Sequence, residues 1–220
     1  MIGSLRSARN RWARCERAER LGVGRNLRIE GYAIASADGM IADATGYMPD
    51  SLKFEADQRF FIESLDRVHV VCHGRLSHEG HPESHARRRL ILTRRAPDLM
   101  PDPDNPHTWL WNPSGATLEE ACDAVGCGSG TLAIAGGTEV FSLFLKIGYD
   151  VFYLARAEQV HLPGGMPVFC QGWFGQSAED VLRDAGLRPA ETSRLEHEVS
   201  LVKWTPLIST GHCRAPSSRQ

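Results

Sequence analysis

"LAIAGGTEVFSLFL", residues 132–145, joins an apolar run to a helix-like pattern through two adjacent glycines. The run before them, with Thr131, has the length and composition of a buried strand. The pattern after them predicts a helix over about 138–146. Gly136 and Gly137 let the chain bend sharply at this junction. They also expose the backbone N–H groups of Thr138, Glu139 and Val140 at a helix N-terminus, where phosphate is attracted. A turn that only packs a helix on a sheet would use the same residues, and the pattern is not G-x-G-x-x-G.

Working outward, "RIEGYAIAS" (28–36) predicts a first strand, "RVHVVCHG" (67–74) a second and "RRLILT" (88–93) a third. "TWLWN" (108–112) predicts a fourth and "DVFYLARAEQV" (150–160) another, with "LEHEVSLVKWTPL" (195–207) as a last edge strand. Helices are expected over about 52–65, capped by Ser51, and over 117–125. Strands alternating with helices imply an α/β sheet of mixed direction. The double glycine then lies at a carboxyl strand end, where open α/β sheets bind ligands. The loop "ADGMIADATGYMPD" (37–50) is long enough to fold over a ligand.

The chain of 220 residues suits one domain. Residues 1–27 read as an arginine-rich flexible extension, 28–205 as the folded domain and 206–220 as a disordered tail. The net charge of −2 gives no global case for a nucleic-acid partner. No apolar run approaches the roughly 20 residues that cross a bilayer. Six cysteines without C-x-x-C spacing suggest a reducing cytoplasm rather than a disulfide framework.

Gly74-Arg75 follows the second strand, and Thr93-Arg94-Arg95 follows the third. Parallel neighbours would bring both to the edge that carries the double glycine. A dinucleotide with a 2′-phosphate needs such a set: backbone N–H groups for the pyrophosphate, and a hydroxyl with guanidinium groups for the 2′-phosphate. Each arginine taken alone also reads as a solvated charge. Asp57 lies between Phe54 and Phe61 on the apolar stripe of its helix. A carboxylate facing a core needs a partner, and a ligand amidine or ring N–H pair would provide one. An acid early in a helix, favoured by the macrodipole, is the other reading. The histidines at 73, 78, 81 and 85 lack H-E-x-x-H spacing, so a solvated polar loop is expected there rather than zinc.

With these residues in place, a resemblance is visible. "ASADGMIADATG" resembles the S-x-D-G-x-I-A segment of the reductase domain of bifunctional riboflavin-biosynthesis deaminase/reductases. "AGGTEVFSLFL" resembles the Gly-Gly segment of dihydrofolate reductases, and "VVCHGR" resembles the strand and Gly-Arg of both. The resemblance implies a dihydrofolate reductase-like three-layer α/β/α fold, with a mostly parallel central sheet and an antiparallel C-terminal edge. It implies an NADPH-dependent reductase transferring hydride to a pyrimidine- or pterin-type substrate. It places Gly136, Gly137 and Thr138 to Val140 on the pyrophosphate, and Gly74, Arg75 and Ser77 along the adenosine and phosphate side. Thr93 and Arg94 would face the 2′-phosphate. Ile41 and Ala42 would sit in the loop over the nicotinamide. Asp57 would bind the substrate ring, Phe61 would contact it, and Arg87 would meet a substrate carboxylate tail.

The departures from these families are specific. Asp50, not tryptophan, follows Pro49; Leu76 and Ser77 replace a basic-Thr pair; Ala135 stands where glutamate is usual. A dihydrofolate reductase and a nucleotide-binding dimer without catalysis remain the alternatives. A homodimer is expected through the edge strand near 195–205.

Overall fold

In the computed structural model, residues 27–77 and 82–207 are described. All of the expected N-terminal extension but Leu27, which opens β1, and nearly all of the expected tail lie outside the described residues, as do His78 and His81.

Among the described residues, eleven strands form two sheets. The large sheet contains β1 (Leu27–Ser36), β3 (Val70–Gly74), β4 (Arg89–Leu92), β5 (Leu99–Pro101), β6 (Thr108–Trp111), β7 (Gly130–Ile134), β8 (Val151–Ala157), β10 (Leu187–Glu196) and β11 (Val199–Pro206). Its order is β10-β11-β8-β1-β7-β3-β4-β6-β5. The six strands from β8 to β6 are mutually parallel, and antiparallel strands close both sides. A small second sheet pairs β2 (Met40–Ala42) with β9 (Met166–Pro167).

The side chains of the parallel strands alternate between two faces. Ile29, Cys72, Leu132, Ile134 and Phe152 point to one face. There they pack under three helices: α2 (Leu118–Ala124), α3 (Thr138–Ile147) and α4 (Ala178–Asp184). Tyr32, Val71 and Ala133 point to the other face, under α1 (Glu55–Leu65). The three layers and the mostly parallel sheet match the fold expected from the sequence.

Local chemistry explains several boundaries. Thr117 caps α2 in a capping box: its hydroxyl accepts the Glu120 N–H at 3.2 Å, and the Glu120 carboxylate accepts the Thr117 N–H at 2.7 Å. Gly148, at φ 107°, ends α3 in a conformation that disfavours any side chain.

Two expectations are corrected. Ser51 does not cap α1; it lies in a 3-10 turn over Asp50–Leu52, and α1 begins at Glu55 without a side-chain cap. The final segment is not one edge strand but the second half of a hairpin. β11 runs between β8 and β10, and β10 is the edge. β10 escaped the sequence reading because its side chains are exposed on both faces for most of its length, so no period-2 pattern marks it.

Candidate active site

The parallel strands bring Ser36, Gly74, Leu92, Ile134 and Ala157 to one edge of the sheet. At its centre the Gly74 N–H donates to the Gly136 carbonyl oxygen at 2.8 Å. A Cβ on Gly74 would lie 3.5 Å from Val140 Cγ2 and 3.8 Å from both Gly136 O and Gly137 N. The Gly74 turn, the double glycine and the first turn of α3 are therefore one contiguous surface. Gly136 has φ 101°, and a Cβ there would lie 3.0 Å from the Phe141 ring, so glycine is required twice over. A Cβ on Gly137 would meet nothing within 4 Å, so the space beside the helix start is open.

Arg94, at the end of β4, reaches across to the same turn and lies 3.7 Å from Glu139 with both side chains exposed. The Thr93 hydroxyl accepts the Arg95 N–H at 3.1 Å. The Ser77 N–H donates to the Gly74 carbonyl at 3.0 Å, which closes a tight turn around exposed Arg75. The Thr138 side chain is used internally: its hydroxyl donates to the Pro167 carbonyl at 2.5 Å.

That last bond joins α3 to β9, which pairs with β2 in the loop after β1. Pro167 pairs with Met40, and Met166 pairs with Ala42. Ile41 and buried Ala42 are thereby held beside the start of α3. Asp38 clasps the base of the loop. Its carboxylate accepts the Leu162 N–H at 3.0 Å and the Ser36 hydroxyl at 2.5 Å, while the Ser36 Oγ also accepts the Met40 N–H at 2.9 Å. Partial burial opposes ionisation of Asp38, but these donors outweigh it and hold the carboxyl below its ordinary range. The Ser-x-Asp-Gly motif is thus the clasp at the base of the loop, with Gly39 at φ 86° completing the turn.

Because α1 connects β1 to the parallel β3, its N-terminal turn lies at this same edge. Asp57 sits in that turn and accepts no hydrogen bond among the described residues. Burial, and secondly the negative charge of Glu196, push its carboxyl up to about 7. Glu196 ends β10, which packs against α1. Phe61, one turn after Asp57, packs edge-on to Tyr32 with ring centroids 6.2 Å apart.

Arg87 is the predicted site residue that the fold does not bring to this edge. It precedes β4, at the amino ends of the strands, and its guanidinium pairs with Asp66 at 2.5 Å. Asp66 follows α1, roughly 14 Å along the helix from Asp57 at about 1.5 Å per residue. Arg87 lines a cavity of about 270 Å³ with Leu65, Val68 and His69. A second cavity, of about 200 Å³, lies between α1 and the sheet and is lined by Glu30, Tyr32, Phe60 and Tyr153. Neither cavity includes the glycine junction.

Two features escaped the sequence reading. Glu196 approaches Asp57 only through the hairpin, and no local pattern announces it. His73, read as part of a solvated loop, is buried on the α1 side of β3 beside Arg89. Its place in an otherwise apolar strand was the available signal.

No family model matches the chain, and no curated protein matches its sequence. Solved structures match its fold. A structure described as a riboflavin biosynthesis protein from Shewanella sp. PV-4 aligns with a TM-score of 0.59 at 19% identity, covering 81% of this chain and 98% of that one. A pyrimidine reductase-like protein from Corynebacterium diphtheriae aligns at 0.57 and 14%, covering 81% and 91%. Dihydrofolate reductase from Enterococcus faecalis, in complex with NADP(H), aligns at 0.53 and 15%, covering 81% and 95%. The chain has the dihydrofolate reductase-like fold.

Proposed function

We propose that this protein is an NADPH-dependent reductase of the riboflavin-biosynthesis type, acting on a pyrimidine- or pterin-type ring. The observation that carries the reading is the junction of Gly74, Gly136 and the first turn of α3. There, a strand end, a side-chain-free bend and a helix start meet beside open space.

The donor set fits a phosphorylated dinucleotide. The N–H groups of Thr138, Glu139 and Val140 precede the first intrahelical bond, which runs from Phe141 N–H to the Gly137 carbonyl at 2.9 Å. Such groups, with the helix dipole behind them, favour a pyrophosphate. Arg94, which reaches Glu139 in that turn, would hold the 2′-phosphate side with Arg75 and the Thr93 hydroxyl at the neighbouring strand ends. Ile41 and Ala42, fixed by β9, would cover the nicotinamide end and exclude water.

When bound, NADPH supplies a hydride to the substrate ring. Asp57 acts at the ring itself. Near neutral pH its carboxyl exists in both forms, so it can accept paired N–H donors when ionised and hold a proton for a ring nitrogen when neutral. The low-dielectric position that raises its pKa also strengthens its hydrogen bonds to a substrate. Phe61, packed on Tyr32, would present a ring to one side of the substrate. The exposed β10 edge supports a homodimer formed through that strand.

The test is a titration of the full chain with NADPH and NADH, followed by tryptophan fluorescence, and then turnover with pyrimidine and pterin substrates. The expected result is preferential NADPH binding and turnover of a pyrimidine. Binding of neither cofactor would overturn the reading. Binding without turnover would leave a nucleotide-binding protein.

A further inference from the structure

We infer that His73, locked in one tautomer by Arg89, is a positioning residue for the phosphate-binding turn at Gly74. The inference rests on the cofactor reading above and deepens it.

His73 is 5% exposed and Arg89 8% exposed, on neighbouring strands of the α1 face. Arg89 Nη1 lies 3.0 Å from His73 Nε2, and His73 Nδ1 lies 2.9 Å from the Gly74 carbonyl oxygen. A guanidinium has donors and no acceptor, so Nε2 must accept. A carbonyl oxygen only accepts, so Nδ1 must donate. These two contacts assign the acceptor role to Nε2 and the donor role to Nδ1, the tautomer with its proton on Nδ1. Arg89 is itself held, since its Nε donates to the Ser84 carbonyl at 2.9 Å.

The consequence falls on the Gly74–Arg75 peptide. The Gly74 carbonyl accepts from both His73 Nδ1 and the Ser77 N–H, so both of its lone pairs are engaged. The Gly74 N–H is bound to Gly136. Glycine allows wide backbone freedom, and here these three bonds remove it. A trans peptide is planar, with its N–H opposite its carbonyl oxygen. Fixing the Gly74 oxygen therefore fixes the direction of the Arg75 N–H, in the turn that touches the start of α3 through Gly74. The buried pair thus holds a backbone donor in place before any phosphate arrives, which lowers the ordering cost of binding.

Two measurements test this. In the uniformly ¹⁵N-labelled full chain, the ring nitrogens of His73, identified by the signal lost in His73→Ala, should show a protonated Nδ1 and an unprotonated Nε2. The reverse tautomer, or an average of both, overturns the inference. NADPH titrations of variants form the second arm. His73→Ala should raise the dissociation constant about tenfold, the scale of one lost neutral hydrogen bond. His73→Asn, whose amide N–H stands near the Nδ1 position, should restore it to within about threefold of wild type. Equal binding by His73→Ala and wild type, with folding checked by circular dichroism, overturns the positioning role; so does failure of His73→Asn to recover. If the wild-type protein binds no NADPH, the cofactor reading itself falls and the positioning role with it. Wild-type binding without the variant pattern removes only the role of His73.

Discussion

Asp57, in the first turn of α1, and Glu196, at the end of β10, are two acids brought to the same edge by different crossovers, and no hydrogen bond or ion pair neutralises either carboxylate among the described residues. Burial of Asp57 and the charge of Glu196 raise the Asp57 carboxyl to about 7. Such an acid destabilises the folded chain when ionised.

The first expectation concerns stability. The Asp57 pKa is about 7 when folded and about 3.9 when unfolded. The folded state therefore binds more protons between these values, and stability falls as pH rises through that window. Asp57→Asn removes the burden. It should raise Tm by several degrees at pH 8 and leave it nearly unchanged at pH 4. Scans at the two pH values check this; an equal shift at both would sink the assignment.

Glu196→Gln should lower the Asp57 pKa, because it removes the like charge and leaves the burial. The pH profile of turnover should then move toward acid, by less than the full displacement from the ordinary carboxylate range. An unchanged profile would show that the two groups do not interact.

Arg94 and Glu139 meet at 3.7 Å on the exposed rim of the glycine junction. Arg94→Ala should weaken NADPH several-fold while changing NADH little, since only the former carries a 2′-phosphate. Glu139→Gln should act in the opposite direction, by freeing the guanidinium and removing a negative charge near the phosphates. Fluorescence titration of both variants with both cofactors checks this; equal losses for NADPH and NADH would remove Arg94 from the 2′-phosphate.

Thr138→Val preserves shape but leaves the Pro167 carbonyl without its donor. Loss of this buried hydrogen bond should cost about 1–3 kcal/mol. It should also speed hydrogen exchange at Ala42 and Val168, which the β2–β9 bracket protects. Unchanged melting and exchange would mean the loop is held by other contacts.

Much of the parallel sheet was legible from local patterning. β1, β3, β4, β7 and β8 are short apolar runs bounded by turn signals, and the Gly136-Gly137 junction followed by α3 declared a strand-to-helix turn. Burial on both faces writes itself into a sequence as apolar runs, and a sharp bend requires glycine. The same logic placed Gly74, Thr93 and Arg94 beside the double glycine, because parallel neighbours must end on one edge. β10 was hidden because its side chains are exposed on both sides. The start of α1 was set by the preceding 3-10 turn rather than by Ser51.

The pairing of distant side chains was decided by the tertiary structure alone. Arg87 has the chain position of a tail-binding residue, yet it meets Asp66 at the opposite end of the strands. The charge of Glu196 acts on Asp57, and His73 meets Arg89, through placements that no spacing rule encodes. Periodicity reports which face of an element is buried. Which charge stands across that face depends on sheet order and crossover path, and those emerge only when the whole chain packs.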